Sequence, residues 1–141
     1  ILDMFNGEII SYSISNSPNL QMVISMLRKA FGKYHNTDGL VLHSDQGWHY
    51  QHMMYQKILK DHGIVQSMSR KGNCLDNAMM ENFFGLMKNE LLYVNHFESV
   101  EEFERELKKY IWWYNNKRIK LRLKGMSPAI YRAHYYREIN N

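Results

Sequence analysis

Apolar and polar positions along this chain follow two rhythms, one of period two and one near 3.6. Residues 1–4 and 8–14 are short apolar, β-branched or aromatic runs on either side of Asn6-Gly7. That dipeptide suits a two-residue hairpin turn, so the opening predicts two antiparallel strands. From residue 20 the rhythm becomes helical: Leu20, Val23, Ile24, Leu27, Ala30 and Phe31 share one face, Ser17-Pro18 offers a cap and a first-turn proline, and Gly32 closes the pattern. Residues 40–43 read as a third, buried strand, 51–62 as a helix ended by Gly63, and 65–68 as a fourth strand. After a loop over 69–75, Asp76 is the expected cap of a helix running to about Leu92. Ser99 and Glu102 form a capping-box pair for a helix carried by Phe103, Leu107, Ile111 and Tyr114, and Ser127-Pro128 opens a last short one. The order predicts an α/β layer architecture, a mixed sheet with helices on its faces.

Composition narrows the class of protein without naming a function. A chain of 141 residues, 45% hydrophobic and 23% charged, suits one compact domain and excludes intrinsic disorder. The single cysteine, Cys74, excludes an internal disulfide. No stretch has the pattern of a secretory signal or a membrane span, so a cytoplasmic protein without a membrane partner is the expectation. The net charge of +4 is unevenly spread: from Arg105 onward ten Lys/Arg face two acids, Glu106 and Glu138. Such a C-terminal excess is compatible with a polyanionic partner and equally with a solvated face.

The candidate chemistry lies in two carboxylates. His43-Ser44-Asp45-Gln46-Gly47 places an Asp where a strand runs out into a glycine-bearing loop, the usual site of ligand-binding residues in open α/β sheets. Glu81 comes later with 35 residues between, near the start of the helix expected after Asp76. Two carboxylates held close repel each other unless a divalent cation neutralises them. Hard oxygen donors with room for water and phosphate suit Mg²⁺ or Mn²⁺, at a carboxylate separation of about 4 to 8 Å. Singly, Asp45 reads as a turn cap and Glu81 as an exposed helical acid. Lys88 strengthens the paired reading, because it stands seven residues beyond Glu81, about two helical turns, with bare Gly85 between them.

His43-Ser44-Asp45-Gln46-Gly47, then Gly72-Asn73, Asp76-Asn77-Ala78, Glu81-Asn82-Phe83-Phe84 and Leu86-Met87-Lys88-Asn89-Glu90, resembles the OrfB-type DDE transposases of the third bacterial insertion-sequence family. Tyr114-Asn115-Asn116 with Arg118, and Leu123-Lys124-Gly125-Met126-Ser127-Pro128, is similar to that family's C-terminal block. The resemblance runs through almost the whole chain. It implies a ribonuclease-H-like fold of the retroviral-integrase kind. Asp45 would be the second and Glu81 the third metal-binding carboxylate of a D,D(35)E set. Lys88 would be a contact to the transposon end. It also implies that the first carboxylate sits on a strand preceding Ile1, so that the fold lacks its first strand here, and that Asp3 matches a different, non-catalytic aspartate. On this pattern the core extends to about residue 92 and a basic helical part covers about 99–141.

The expected protein is therefore a DNA strand-cleaving and strand-transferring enzyme, a polynucleotidyl transferase that uses two Mg²⁺ or Mn²⁺ ions and acts as a homo-oligomer on transposon ends and target DNA. The rival is a catalytically inactive, nucleic-acid-binding or assembly remnant with the same fold. Lys88, Arg70 and Lys71 are the expected DNA contacts. So are Arg118, Lys120, Arg122 and Lys124, if the alternating segment 117–124 runs as a strand with its cations clear of the core. Trp112 and Trp113 read as core or interface packing before a base-stacking platform. His43, Asp45, His49 and His52 admit a zinc-cluster reading, weakened by the absence of an i, i+4 histidine pair.

Overall fold

The computed structural model describes residues 1–34, 36–70 and 77–140. The expected loop contact Lys71 and the expected cap Asp76 lie outside the described residues. The chain forms two compact units, one of residues 11–78 and one of residues 1–10 with 79–141.

In the first unit, α1 (Leu20–Lys33) buries Val23, Ile24, Leu27 and Ala30, four of the six apolar positions that predicted it. Its cap is Asn19 rather than Ser17: the Asn19 side chain accepts from the Met22 amide at 2.8 Å, satisfying an amide that the first turn leaves without a partner. Strand β1 (Val41–Ser44) pairs in parallel with β2 (Val65–Met68), in the register Val41↔Val65 to Ser44↔Met68. Between them run a single helical turn, α2 (Trp48–Gln51), and helix α3 (Met53–Asp61). The expected helix over 51–62 is therefore divided, with His52 in extended backbone between the two pieces. Gly63 ends α3 as the sequence indicates. Its φ is +68°, and a side chain there would collide with Asp38. Neither strand is fully buried, for Val41 and Val65 are 63% and 55% exposed. The core of this unit lies instead among α1, Tyr55, Leu59 and Ile64, and Phe31 closes on the His62 ring at 4.3 Å.

The second unit starts with the predicted hairpin in reduced form: one antiparallel bridge, Leu2↔Ile9, in place of two strands. Its ladder consists of the Asp3 amide donating to the Glu8 carbonyl at 2.9 Å and the Ile10 amide donating to the Ile1 carbonyl at 2.8 Å. Asn115 accepts from the Ile9 amide and donates to its carbonyl, both at 2.9 Å, and so occupies the edge that a further strand would need. Asn6 is fully buried and donates to the Pro128 carbonyl. Helix α4 (Ala78–Met87) continues into a π-helical turn, Lys88–Leu92. Helix α5 (Val100–Asn116) begins at Ser99, whose hydroxyl accepts from the Glu102 amide, while the Glu102 carboxylate accepts from the Glu98 amide, one residue earlier than the capping box predicts. Helix α6 (Pro128–Ile139) has its proline in the first turn, as expected. Phe83, Leu91, Leu107, Tyr110, Ile111, Tyr114 and Leu123 form the core of this unit.

Candidate functional site

Every residue of the 43–47 string has a structural task, and together these tasks present Asp45 at the exit of β1. The His43 ring bridges the two strands, with Nδ1 2.9 Å from the Ser67 hydroxyl and Nε2 3.0 Å from that of Ser69. Ser69 ties β2 back to β1, its amide donating to the Ser44 carbonyl at 2.8 Å. Gln46 donates to the Ser69 carbonyl at 3.0 Å, which fixes the loop just beyond the strand pair. Asp45 itself accepts from the Gly47 amide through one oxygen, Oδ1, at 2.8 Å. A Cβ on Gly47 would lie 3.0 Å from that oxygen and 3.3 Å from the Tyr50 ring, so a glycine keeps the turn this tight. Asp45 is exposed and, among the described residues, has no ion-pair partner. Its charge acts on Tyr50: burial pushes that phenol up, and Asp45 adds to the shift.

Glu81 sits in the first turn of α4, exposed and, among the described residues, without a cationic partner. Its helix is anchored through Phe83, which is buried and meets the Tyr114 ring edge-on at 5.0 Å. The helix-start position therefore holds as the sequence indicates, and the chain from Glu81 to Met87 keeps the α-helical winding on which the two-turn spacing to Lys88 rests. The π turn begins at Lys88, so that the backbone winds more widely from there on. Lys88 is exposed. Asp45 and Glu81 belong to different units, and each is described on its own element.

The basic segment departs most from expectation. It is not a strand: Leu121–Leu123 forms a 3₁₀ turn, Lys124 has φ +55°, and the buried side chain of Leu123 draws the segment inward. Its cations are not all clear of the core, for Arg118 and Lys120 each have partners within the protein. Arg118 grips Glu90, its Nε 2.9 Å from both carboxylate oxygens, and Tyr110 donates to the same carboxylate at 2.7 Å. Lys120 donates to the Tyr114 hydroxyl and lies 4.2 Å from the centre of that ring. Arg122 and Lys124 remain exposed, as does Arg70 beyond β2. The Glu90–Arg118 clasp escaped sequence reasoning because nothing in one sequence links two positions 28 apart on different elements.

The zinc reading finds no support among the described residues, where no group of three potential ligands gathers. His43 is held by two serines, and the His52 ring caps α3 by accepting from the Met54 amide. Asp3 binds the Arg132 guanidinium at 2.7 Å, a structural use. Trp112 and Trp113 are exposed on α5, at 59% and 41%, rather than packed in the core. No helix among the described residues is long and apolar enough to cross a membrane.

Known proteins share both the sequence and the fold. Two family models, both described as integrase core domain, match residues 1–74 and 81–135. A protein of Escherichia coli K12 assigned as transposase InsK of insertion sequence element IS150 is 52% identical over 136 residues, 96% of this chain and 48% of that protein. An uncharacterized transposase-like protein of Haemophilus influenzae is 48% identical, over 94% of this chain and 61% of its own length. The transposase for insertion sequence element IS904 of Lactococcus lactis is 41% identical, over 90% and 51%. The chain thus spans about half the length of the curated relatives it matches. Among solved structures, the HTLV-2 integrase catalytic core domain, in complex with magnesium and in a trimeric form, superposes with a TM-score of 0.66 at 18% identity, covering 90% of this chain and 78% of that one. At that identity the likeness speaks for the fold, which is the expected ribonuclease-H-like one.

Proposed function

The chain belongs to the integrase core domain family, and on that basis we propose that it is the catalytic core of an insertion-sequence transposase, a polynucleotidyl transferase that cuts and rejoins DNA in the bacterial cytoplasm. The observation that carries this reading is the presentation of Asp45. A strand pair, a bridging histidine and a glycine turn hold one carboxylate oxygen, while no cation of the protein neutralises the group among the described residues. Glu81 meets the same condition on α4, with 35 residues between the two. Two such hard oxygen donors, each lacking a cationic partner among the described residues, fit Mg²⁺ or Mn²⁺.

Asp45 and Glu81 would hold the metal as the second and third carboxylates of the family pattern. When bound, the ions supply Lewis-acid activation of the attacking hydroxyl and neutralise charge at the leaving oxygen. Asp45 keeps its orientation because the Gly47 amide fixes Oδ1, and this orientation is what the His43–Ser69–Gln46 net protects. Lys88 and Arg70, both exposed, would bind phosphates of the DNA backbone, as would Lys71. The active assembly would be a homo-oligomer, as the HTLV-2 core is described in a trimeric form.

The test is strand cleavage by the full-length protein on its own transposon end, with Mg²⁺ supplied. Asp45→Asn and Glu81→Gln are each expected to lower cleavage by at least about a hundredfold, with thermal melting unchanged because both side chains are exposed. Retained cleavage in either variant would refute the assignment. Lys88→Ala should reduce the slope of log affinity against log salt by about 0.9 on duplex DNA. An unchanged slope would remove Lys88 from the interface.

A further inference from the structure

The segment after α5 bends back upon itself. The Lys120 amide donates to the Met126 carbonyl at 3.1 Å, the amides of Leu123 and Gly125 donate to the Lys120 carbonyl, and Leu123 is buried beneath the loop. The bend brings Lys120 and Arg122 together over the hairpin turn of the same unit. A Cβ built on Gly7, where φ is +73°, would lie 2.8 Å from Arg122 Nη2, 3.0 Å from Lys120 Nζ and 3.9 Å from the Tyr114 hydroxyl. The two cations thus approach one bare stretch of backbone that no other residue type would leave open.

The nearby carboxylates are engaged by other cations. Asp3 and Glu8, the carboxylates of that hairpin, both bind Arg132, at 2.7 Å each. Glu90, on the π turn, is taken by Arg118 and Tyr110. Among the described residues neither Lys120 nor Arg122 has an ion pair. On an ordinary solvated face two long cations spread apart, since repulsion and side-chain entropy both favour it. Here Lys120 is held in place by the Tyr114 hydroxyl and ring, half-buried beside a second cation. Burial first, then Arg122 and Arg118, lower its ammonium to about 8, and Glu90 offsets this in part.

We propose that Lys120 and Arg122, backed by Tyr114 and bedded on Gly7, form a seat for a phosphate group, filled by a backbone phosphodiester of bound DNA. The fork of Arg122 and the point charge of Lys120 are the two cation types that phosphate recognition uses, and a phosphate between them removes the repulsion that the empty arrangement sustains. The source of the phosphate rests on the DNA-acting reading above, whereas the seat itself rests on the geometry of these residues.

The experiment follows Lys120 by NMR in the full-length protein with ¹³C-methylated lysines, titrated in chloride, in inorganic phosphate and with a short duplex. In chloride Lys120 should titrate near 8, far below the ordinary 10.5. Saturating phosphate and duplex should each raise it by about one unit or more, a tenfold preference for the protonated form. Arg122→Gln, an exposed position, should abolish that rise while the fold, checked by circular dichroism, persists. A rise with phosphate but not with duplex that binds elsewhere upholds the seat and assigns it to free phosphate. No rise with either anion, while duplex binding persists by anisotropy, overturns the seat and leaves the transposase reading standing. An equal rise with polyglutamate also overturns it, in favour of a patch for any polyanion. So does a rise that survives Arg122→Gln. Loss of cleavage in Asp45→Asn with the Lys120 response intact would separate the two sites.

Discussion

Asp3 and Asp45 are both aspartates at the edge of extended segments, and their surroundings tie them to the fold to different degrees. Asp3 accepts from the Phe5 amide and binds Arg132, itself only 16% exposed in its side chain. Removing Asp3 leaves part of a near-buried guanidinium unpaired, so Asp3→Ala should cost about 1 to 2 kcal/mol in urea unfolding, with Glu8 retaining the rest. Asp45→Ala should change stability by less than about 0.5 kcal/mol, since its one partner is an exposed turn amide. Equal costs would mean that the two roles are wrongly divided. Glu90 adds a pH dependence. Hydrogen bonds from Arg118, aided by Tyr110, hold its carboxyl below the ordinary 4.5 against the opposing effect of burial. The unfolded chain therefore takes up this proton more readily than the folded one. The stabilisation is full above 4.5 and is lost as pH falls through the folded value. In Glu90→Gln the acid limb should flatten, as read from urea midpoints at several pH values between about 3 and 6. An unaltered acid limb would show that the clasp contributes no linked stability.

Among the elements, α1 shows how a correct periodicity coexists with a misplaced boundary. Ser17-Pro18 has the composition of a start signal, yet the chain stays extended for two more residues, and Asn19 reaches the Met22 amide. Asn19→Ala should therefore cost about 1 kcal/mol, and Ser17→Ala close to nothing. The reverse ranking in thermal melts would restore Ser17 as the cap. The π turn at Lys88–Leu92 is a second such case. Its residues carry an ordinary helical pattern, and the wider winding coincides with the clasp that Arg118 and Tyr110 place on Glu90 in the middle of the turn. Segment 117–124 is a third. Alternation of cations and aliphatics suggests a strand, but Leu123 is drawn into the core and the backbone turns, which leaves Ile119 and Leu121 outside, at 68% and 95% exposed.

For the whole molecule, the family pattern and the division of labour between units bear on what 141 residues can do. On the proposed reading, Asp45 and Glu81 are the metal-binding carboxylates within them, and the family pattern asks for one more. Expressed alone, the chain is expected to bind duplex DNA and to give no Mg²⁺-dependent nicking of a transposon end. Nicking by the isolated chain that Glu81→Gln abolishes would show that the first carboxylate has been misassigned. Local sequence was enough to dictate the helical stretches, the β1–α3–β2 order, the Ser99 cap, the strand-exit position of Asp45 and the first-turn position of Glu81. Each of these depends on periodicities of a few residues, on capping chemistry or on a glycine turn, all of which a short window contains. Long-range packing was needed for Asn115 to take the outer edge of Ile9. It was needed as well for Arg118 to face Glu90 inward, and for Lys120 and Arg122 to meet over Gly7. Those contacts join residues far apart in the chain, and their energies depend on burial and on which partner arrives first in space. A periodicity carries no term for either.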